Sequence, residues 1–428
     1  MKRIAVFGIA AFLGLANRAH AQLTMNMSNG WSFSLSGNVN AFYVESWDNS
    51  QAKVTAINGS AVVQGDGTNA NVRTGLLPAD LNFDIKGHEG PLDLGVHFGF
   101  YPQIQNGGSP GNTHDQFGAQ IDMREVYLTA GGGWGQLLAG RAIDPFLREN
   151  ILTDATLFGT GPTGGNRGAG GTTLGRIGFG YIYPNFNAQL AYSTKAGGPL
   201  VWTVAVVQPS QVGVTNGDGS EAGVFSYTPL PRIESELLFT TSFGTPMNGA
   251  STNKLNLWVN GAWQEAKAAP TGTQDTLVTD IEGQHTIQTG GAGAGFKLDA
   301  SRIAIVGSGY WGRGIGTTLM YDGLSASANG SPRTSYGYIG QVTLKLTQRW
   351  SVTGSYGESF IEGSNFDQNF DPTYGQLLKY NSAAVGNIQY QQTKSFRWVL
   401  EYTYNEAADT AHDKNISNNL SGGVMLFF

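Results

Sequence analysis

The sequence predicts an all-β chain closed into a transmembrane antiparallel β-barrel of about sixteen strands, with eighteen as the upper count. Three observations carry that prediction. Apolar residues recur at every second position through successive segments, and the connections alternate between short and long. The composition is also unusual: 62 of 428 residues are glycine, 11% are aromatic and only 13% are charged. Soluble domains carry about a quarter charged residues. With a mean hydropathy of −0.18, the chain suits strands that show one face to lipid and the other to water.

In chain order, residues 1–21 form an export leader. Lys2 and Arg3 precede an apolar run from Ile4 to Ala16, and Ala19-His20-Ala21 supplies the small-x-small cleavage pattern, so the mature chain begins near Gln22. No later apolar run is long enough for a membrane helix. The absence of cysteine excludes a disulfide framework and a lipid-modified cysteine. Removing Lys2, Arg3 and Arg18 with the leader leaves 22 basic against 31 acidic side chains, a balance of −9. Such a chain is a poor partner for nucleic acid.

The first strand segment sets Trp31, Phe33, Leu35, Gly37, Val39, Ala41 and Tyr43 against Ser32, Ser34, Ser36, Asn38 and Asn40. A strand turns alternate side chains to opposite faces, so one face is apolar and the other polar. The scheme returns at Ala79–Ile85 opposite Asp80, Asn82, Asp84 and Lys86, and at Leu92–Phe100 opposite Asp93, His97 and Tyr101. Ile177, Phe179, Tyr181 and Tyr183 opposite Arg176 read as a further strand, followed by others around 255–263, 338–346, 396–404 and 420–428. A slip of one residue would put the charges in lipid.

Short connections are expected at 87–91, 131–133, 184–185, 228–231, 299–301, 346–349 and 391–394. Long ones rich in Gly, Ser, Asn and Thr are expected at 46–71, 142–171, 208–220, 265–284, 312–333 and 361–377. That alternation is the sidedness of an outer-membrane barrel. An open sheet of this size would leave unpaired edges in lipid, so it closes. The competing architecture is a soluble sandwich or propeller.

The segments MREVYLTAGGGWGQLLAGR (123–141) and GRIGFGYIYPNFNAQLAYS (175–193), together with the terminal Phe428, resemble the general porin family of Gram-negative outer membranes. The resemblance covers nearly the whole mature chain in layout. It implies a homotrimer of barrels in contact with outer-membrane lipid and lipopolysaccharide, and a third external loop, 142–171, folded inward to narrow each pore. It also implies a water-filled channel for passive diffusion of small hydrophilic solutes and ions. On this reading Asp144, Arg148, Glu149, Asp154 and Arg167 sit on the constriction loop, facing Arg141 and Arg176 on the wall.

This sequence departs from the family by carrying Asn38 and Asn82 where many relatives hold a basic residue, and DATLFGTG (154–161) lacks the usual second glutamate. Both departures weaken the field across the constriction, while the acidic balance tilts it toward cations. Arg141 and Arg176 read equally as loop anchors paired with Asp144 or Asp154. Trp134 and Trp398 read as interfacial residues.

Other functions find little support. A hydrolase would need a nucleophile beside a base, but no Gly-x-Ser-x-Gly occurs and His88, His97, His114, His285 and His412 accompany no serine signature. No cofactor is expected: Asn216–Glu221 is rich in oxygen ligands for structural calcium but lacks the twelve-residue loop pattern. GAGAGF (291–296) is no phosphate loop, because no Lys-Ser or Lys-Thr closes it. The strongest rival is a substrate-selective channel for a sugar, phosphate or carboxylate. A structural or adhesive barrel is the weaker one.

Overall fold

In a computed structural model of the chain, the structure describes residues 23–28, 30–51, 57–104, 121–164, 172–245, 253–268 and 285–428. The expected export leader at 1–21, Arg167 and His114 lie outside the described residues. Sixteen antiparallel strands form the wall. The first eight are β1 (Ser32–Ser50), β2 (Asp80–Glu89), β3 (Leu92–Pro102), β4 (Ile121–Gly132), β5 (Gly135–Ile143), β6 (Phe186–Ser193), β7 (Leu200–Val207) and β8 (Arg232–Ser242). The remainder are β9 (Lys254–Lys267), β10 (Thr286–Ala300), β11 (Ile303–Arg313), β12 (Thr334–Lys345), β13 (Trp350–Glu362), β14 (Leu378–Gln391), β15 (Phe396–Asp409) and β16 (Lys414–Phe427).

Each strand pairs with its neighbours in sequence, and β16 returns to β1 from Asn38↔Phe427 to Ser50↔Asn415. Every wall strand is therefore paired on both edges, as hydrocarbon demands of a backbone that water cannot reach. Two further strands lie along β1. Gly67–Arg73 pairs with its upper half, above the place where β2 takes over at Asn38↔Asp80. Leu23–Asn26 pairs with its lower end.

The expected alternation is realised on the wall. On β1, Ser34, Ser36, Asn38, Asn40, Ser46 and Asp48 are buried, whereas Val39, Tyr43 and Trp47 are 52%, 50% and 40% exposed. On β9, buried Trp258, Asn260 and Gln264 alternate with exposed Leu257, Val259 and Trp263. Exposed apolar residues on the outside and buried polar residues within are the inverse of a soluble protein, and fit lipid outside and water inside.

Two expectations about the wall are corrected. Residues 177–183 form no wall strand, and 184–185 and 228–231 are no short turns. A single long connection runs from β5 to β6, and another from β7 to β8. The reason is backbone geometry: Gly175, Gly178 and Gly180 have φ of +56°, +79° and +140°, a region closed to an extended strand and open to glycine. The chain coils instead, with Phe179 N–H donating to Arg176 and Gly178 N–H to Tyr181. The alternation there is coincidental. The short connections between β6 and β7 and between β8 and β9 fall at 194–199 and 243–253.

The barrel encloses an apolar cluster supplied largely by its connections. Phe146, Leu147, Ile151, Leu157, Ile177, Tyr181 and Ile182 pack with wall residues Phe42, Tyr310 and Met425. At the long-loop end, a small sheet of Val212–Thr215, Glu221–Phe225 and Ala326–Ser327 joins separate connections. Arg333, fully buried, donates to Asp367 at 2.8 and 3.0 Å and to the Thr215 carbonyl at 2.7 Å. Three long connections are thereby tied together. The oxygen-rich turn at 216–221 is engaged in the same way, because Asp218 accepts from the Ser220 backbone and hydroxyl, and Gly217 N–H donates to Asp371 at 2.6 Å.

Candidate functional site: the lumen and the loop between β5 and β6

The connection from β5 to β6 is held by side chains of inward parity on wall strands all around the barrel. Asp144, fully buried at its start, accepts from Arg232 of β8 and from Asn187 of β6, each at 2.5 Å. Arg232 also meets Glu234 at 2.8 Å, and Glu234 accepts from Phe146 N–H at 2.8 Å. Leu147, with φ +63°, turns the chain into a short helix, α1 (Arg148–Thr153). From it Arg148 pairs with Glu236 of β8, and Asn150 accepts from Trp258 of β9 at 3.1 Å.

Farther along, Ala155 N–H donates to Gln341 of β12 at 2.7 Å. Thr160 donates to Glu401 of β15 through its backbone at 2.9 Å and its hydroxyl at 2.8 Å. Arg176 bonds to Ser355 of β13 and the Ala383 carbonyl of β14. Such buried charge pairs contribute little net stability against apolar substitutes, but they fix one position for the loop.

A run of glycines on β10 makes room for this loop. Gly291, Gly293 and Gly295 face inward while Ala292 and Ala294 face out, exposed. A Cβ on Gly293 would collide with Leu147, and one on Gly295 with the Trp258 ring. The segment GAGAGF is thus a seat for α1 and the indole that binds it.

The structure places each expected site residue except Arg167, which lies outside the described residues. Arg176 lies on the loop rather than the wall, fully buried. Arg141 is exposed and stands in register with Val126 and exposed Ala188, the parity that carries Leu137 and Leu190 on the outside. The position facing the loop that the resemblance implied for it does not hold. Asp154 is buried and serves the loop itself, accepting from Thr156 N–H at 2.8 Å, the Thr156 hydroxyl at 2.7 Å and the Tyr181 hydroxyl at 2.7 Å.

Asn38 and Asn82 both donate to Asp80, and Asn38 also to the Pro78 carbonyl at 3.0 Å. They anchor residues 74–79 between the two halves of the second wall position, helped by Asn40 on the Leu77 carbonyl and Gly75 N–H. Glu149 is half-buried on α1. Burial raises its carboxyl to about 7, aided by the charge of Glu236 and opposed by Arg148, Lys297 and Lys254.

Three groups escaped the sequence reading. The Arg-x-Glu-x-Glu of β8 is legible in retrospect, since Arg232, Glu234 and Glu236 alternate with Ile233 and Leu237. His97 stands between Asp84 at 3.2 Å and Glu125 at 3.6 Å, stacked on Tyr127. Arg124 reaches the Tyr101 ring because a bulge opposite Gly99 and Phe100 shifts the register, a slip with no mark in the sequence.

Solved structures resemble this architecture over nearly its full length. The outer membrane channel DcaP of Acinetobacter baumannii superposes with a TM-score of 0.65 at 15% identity, over 94% of this chain and 99% of that one. The chain has the outer-membrane porin fold. An anion-selective porin from Comamonas acidovorans follows at TM-score 0.58 and 11% identity, over 93% of this chain and 100% of that one. Salmonella typhi OmpF in complex with daunomycin gives 0.52 and 12%, over 94% and 100%. No protein-family model matches the sequence, and no curated protein does. Within this porin fold, wall charges that face the loop come from β4, β8, β9, β10 and β15.

Proposed function

We propose that the chain is an outer-membrane porin: a water-filled channel for passive diffusion of small hydrophilic solutes and ions, with no catalytic role. The observation that carries this reading is the closed sixteen-strand wall with Ser, Thr and Asn inside and exposed aliphatic and aromatic residues outside. On this reading the leader at 1–21 directs export, and the barrel sits in a Gram-negative outer membrane as a homotrimer among lipid and lipopolysaccharide. The loop between β5 and β6 narrows the path.

Glu149 on that loop supplies charge at the narrowing. Fixed charges act strongly on an ion there, because the surroundings screen them less than bulk water does. The acids and bases engaged with each other, Asp144 with Arg232 and Arg148 with Glu236, contribute weaker fields than lone charges would. The pore is accordingly only mildly ion-selective.

Conductance of the purified protein in planar bilayers tests the proposal. A large ohmic conductance with slight ion preference supports the general pore. Saturation of the current by one solute would favour a substrate-selective channel, and a silent bilayer would sink both.

A further inference from the structure

The short-turn end of the lumen carries basic side chains that the loop-anchoring network leaves unused. Lys254 opens β9, and its inward parity follows from buried Trp258 and Asn260 above it. Lys297 of β10 stands in register with Asn256, two residues from Lys254 on the same face. Lys345 ends β12 on that face too, 3.4 Å from Asp299, which is itself in register with Lys254. Lys297 feels the charges of Lys254, Lys345, Asp299 and Glu149 together. Among the described residues, neither Lys254 nor Lys297 forms an ion pair or donates a hydrogen bond, unlike Arg148, Arg232 and Arg333.

Position adds a second argument. Trp258 marks the level of the loop by its bond to Asn150. Strands rise about 3.3 Å per residue, so Lys254 lies about 13 Å and Lys297 about 7 Å along the strand from that level, toward the short-turn end. The lysines therefore form a half-buried basic ledge on the lumen face between the loop and the short-turn end. Asp299, paired with Lys345, is the wall carboxylate that stands beside these ammonium groups among the described residues. Glu149, the acid above them, is held partly protonated near neutrality by burial.

We propose that Lys254 and Lys297, backed by Lys345, form a docking subsite for small multivalent oxyanions of the phosphate or polycarboxylate class, entered from the short-turn side. This inference rests on the pore reading and names a solute class for it. Two or three ammonium groups converging on one face offer separate donors to separate anion oxygens. Each such charge-assisted bond is stronger than one between neutral groups.

Single-channel recording with pyrophosphate as probe tests it. In potassium chloride, pyrophosphate added to the short-turn side should block the current at one polarity and leave the opposite addition without effect. The double variant Lys254→Gln/Lys297→Gln should still form an open channel, and its half-blocking concentration, measured against its own unblocked current, should rise about tenfold or more, on the order of one lost charge-assisted bond. Lys195→Gln, which removes an exposed lysine of the 194–199 connection at the same end, should block like wild type. A conducting channel that pyrophosphate never blocks, or one blocked equally in the double variant, overturns the subsite while the pore reading stands. A wild-type chain that carries no current removes the pore reading and the subsite with it.

Discussion

Asp144 and Arg232 bond in full burial, with Glu234 beside them. Arg232 is the cation that both carboxylates share, and removing it leaves uncompensated charge where water cannot reach it, at a cost of about 3–5 kcal/mol. Arg232→Ala should therefore lower the thermal transition of the detergent-solubilised barrel and raise open-channel current noise, because the start of the loop loses its wall anchor. An unchanged transition would show that water reaches Asp144 and Glu234. Glu149 gives a pH prediction. Its carboxyl is raised to about 7 by burial and the charge of Glu236, so the loop gains a negative charge as pH climbs through neutrality. Cation preference, read as a reversal potential across a salt gradient, should rise over that interval in wild type and stay flat in Glu149→Gln. The linkage sign agrees: between the ordinary carboxylate range and 7 the native chain holds a proton that the unfolded chain releases, so stability falls as pH rises there.

At the scale of elements, β10 and the loop it receives depend on the absence of side chains. Gly293 and Gly295 face Leu147 and Trp258 so closely that a Cβ has no space. Gly295→Val should disturb the seat of α1, with overpacking worth about 1–3 kcal/mol, while far-ultraviolet circular dichroism keeps its β signature because the ladder to β9 and β11 is untouched. Ala294→Val, on the outward face between the same glycines, should change neither the conductance nor the transition. A Gly295→Val channel indistinguishable from wild type would mean the loop is not seated on β10. The same elements show how sequence signals mislead. Residues 177–183 alternate as cleanly as a wall strand, yet the positive φ of Gly178 and Gly180, and of Gly175 just before them, coils them into the interior. Period alone cannot separate an extended strand from a glycine-punctuated coil, because both leave apolar residues at every second position.

At the scale of the molecule, closure of β16 on β1 makes the two faces of the wall into two solvents. Val259, midway along β9 and 53% exposed, should tolerate exchange for another aliphatic residue. Val259→Arg should destabilise the folded barrel by about 2–4 kcal/mol, the cost near the bilayer midplane. Refolding into lipid vesicles against denaturant measures it. Asn260→Ser, one residue on and facing the lumen, should leave that free energy nearly unchanged. If both changes were neutral, the outward face would not meet hydrocarbon.

The wall and its inside-outside sense were determined by the sequence itself, because a strand's two-residue period is local and each of β1, β9 and β16 displays it without help from its neighbours. Strand count and most short turns follow from the same local rule. The interior was decided only by the tertiary structure. Arg176 could not be placed on the loop, nor Arg141 on the outside, nor Arg232 opposite Asp144, because those positions depend on which residues meet across a closed barrel. Contacts of that kind join side chains far apart in the chain, and no spacing along it encodes where they meet.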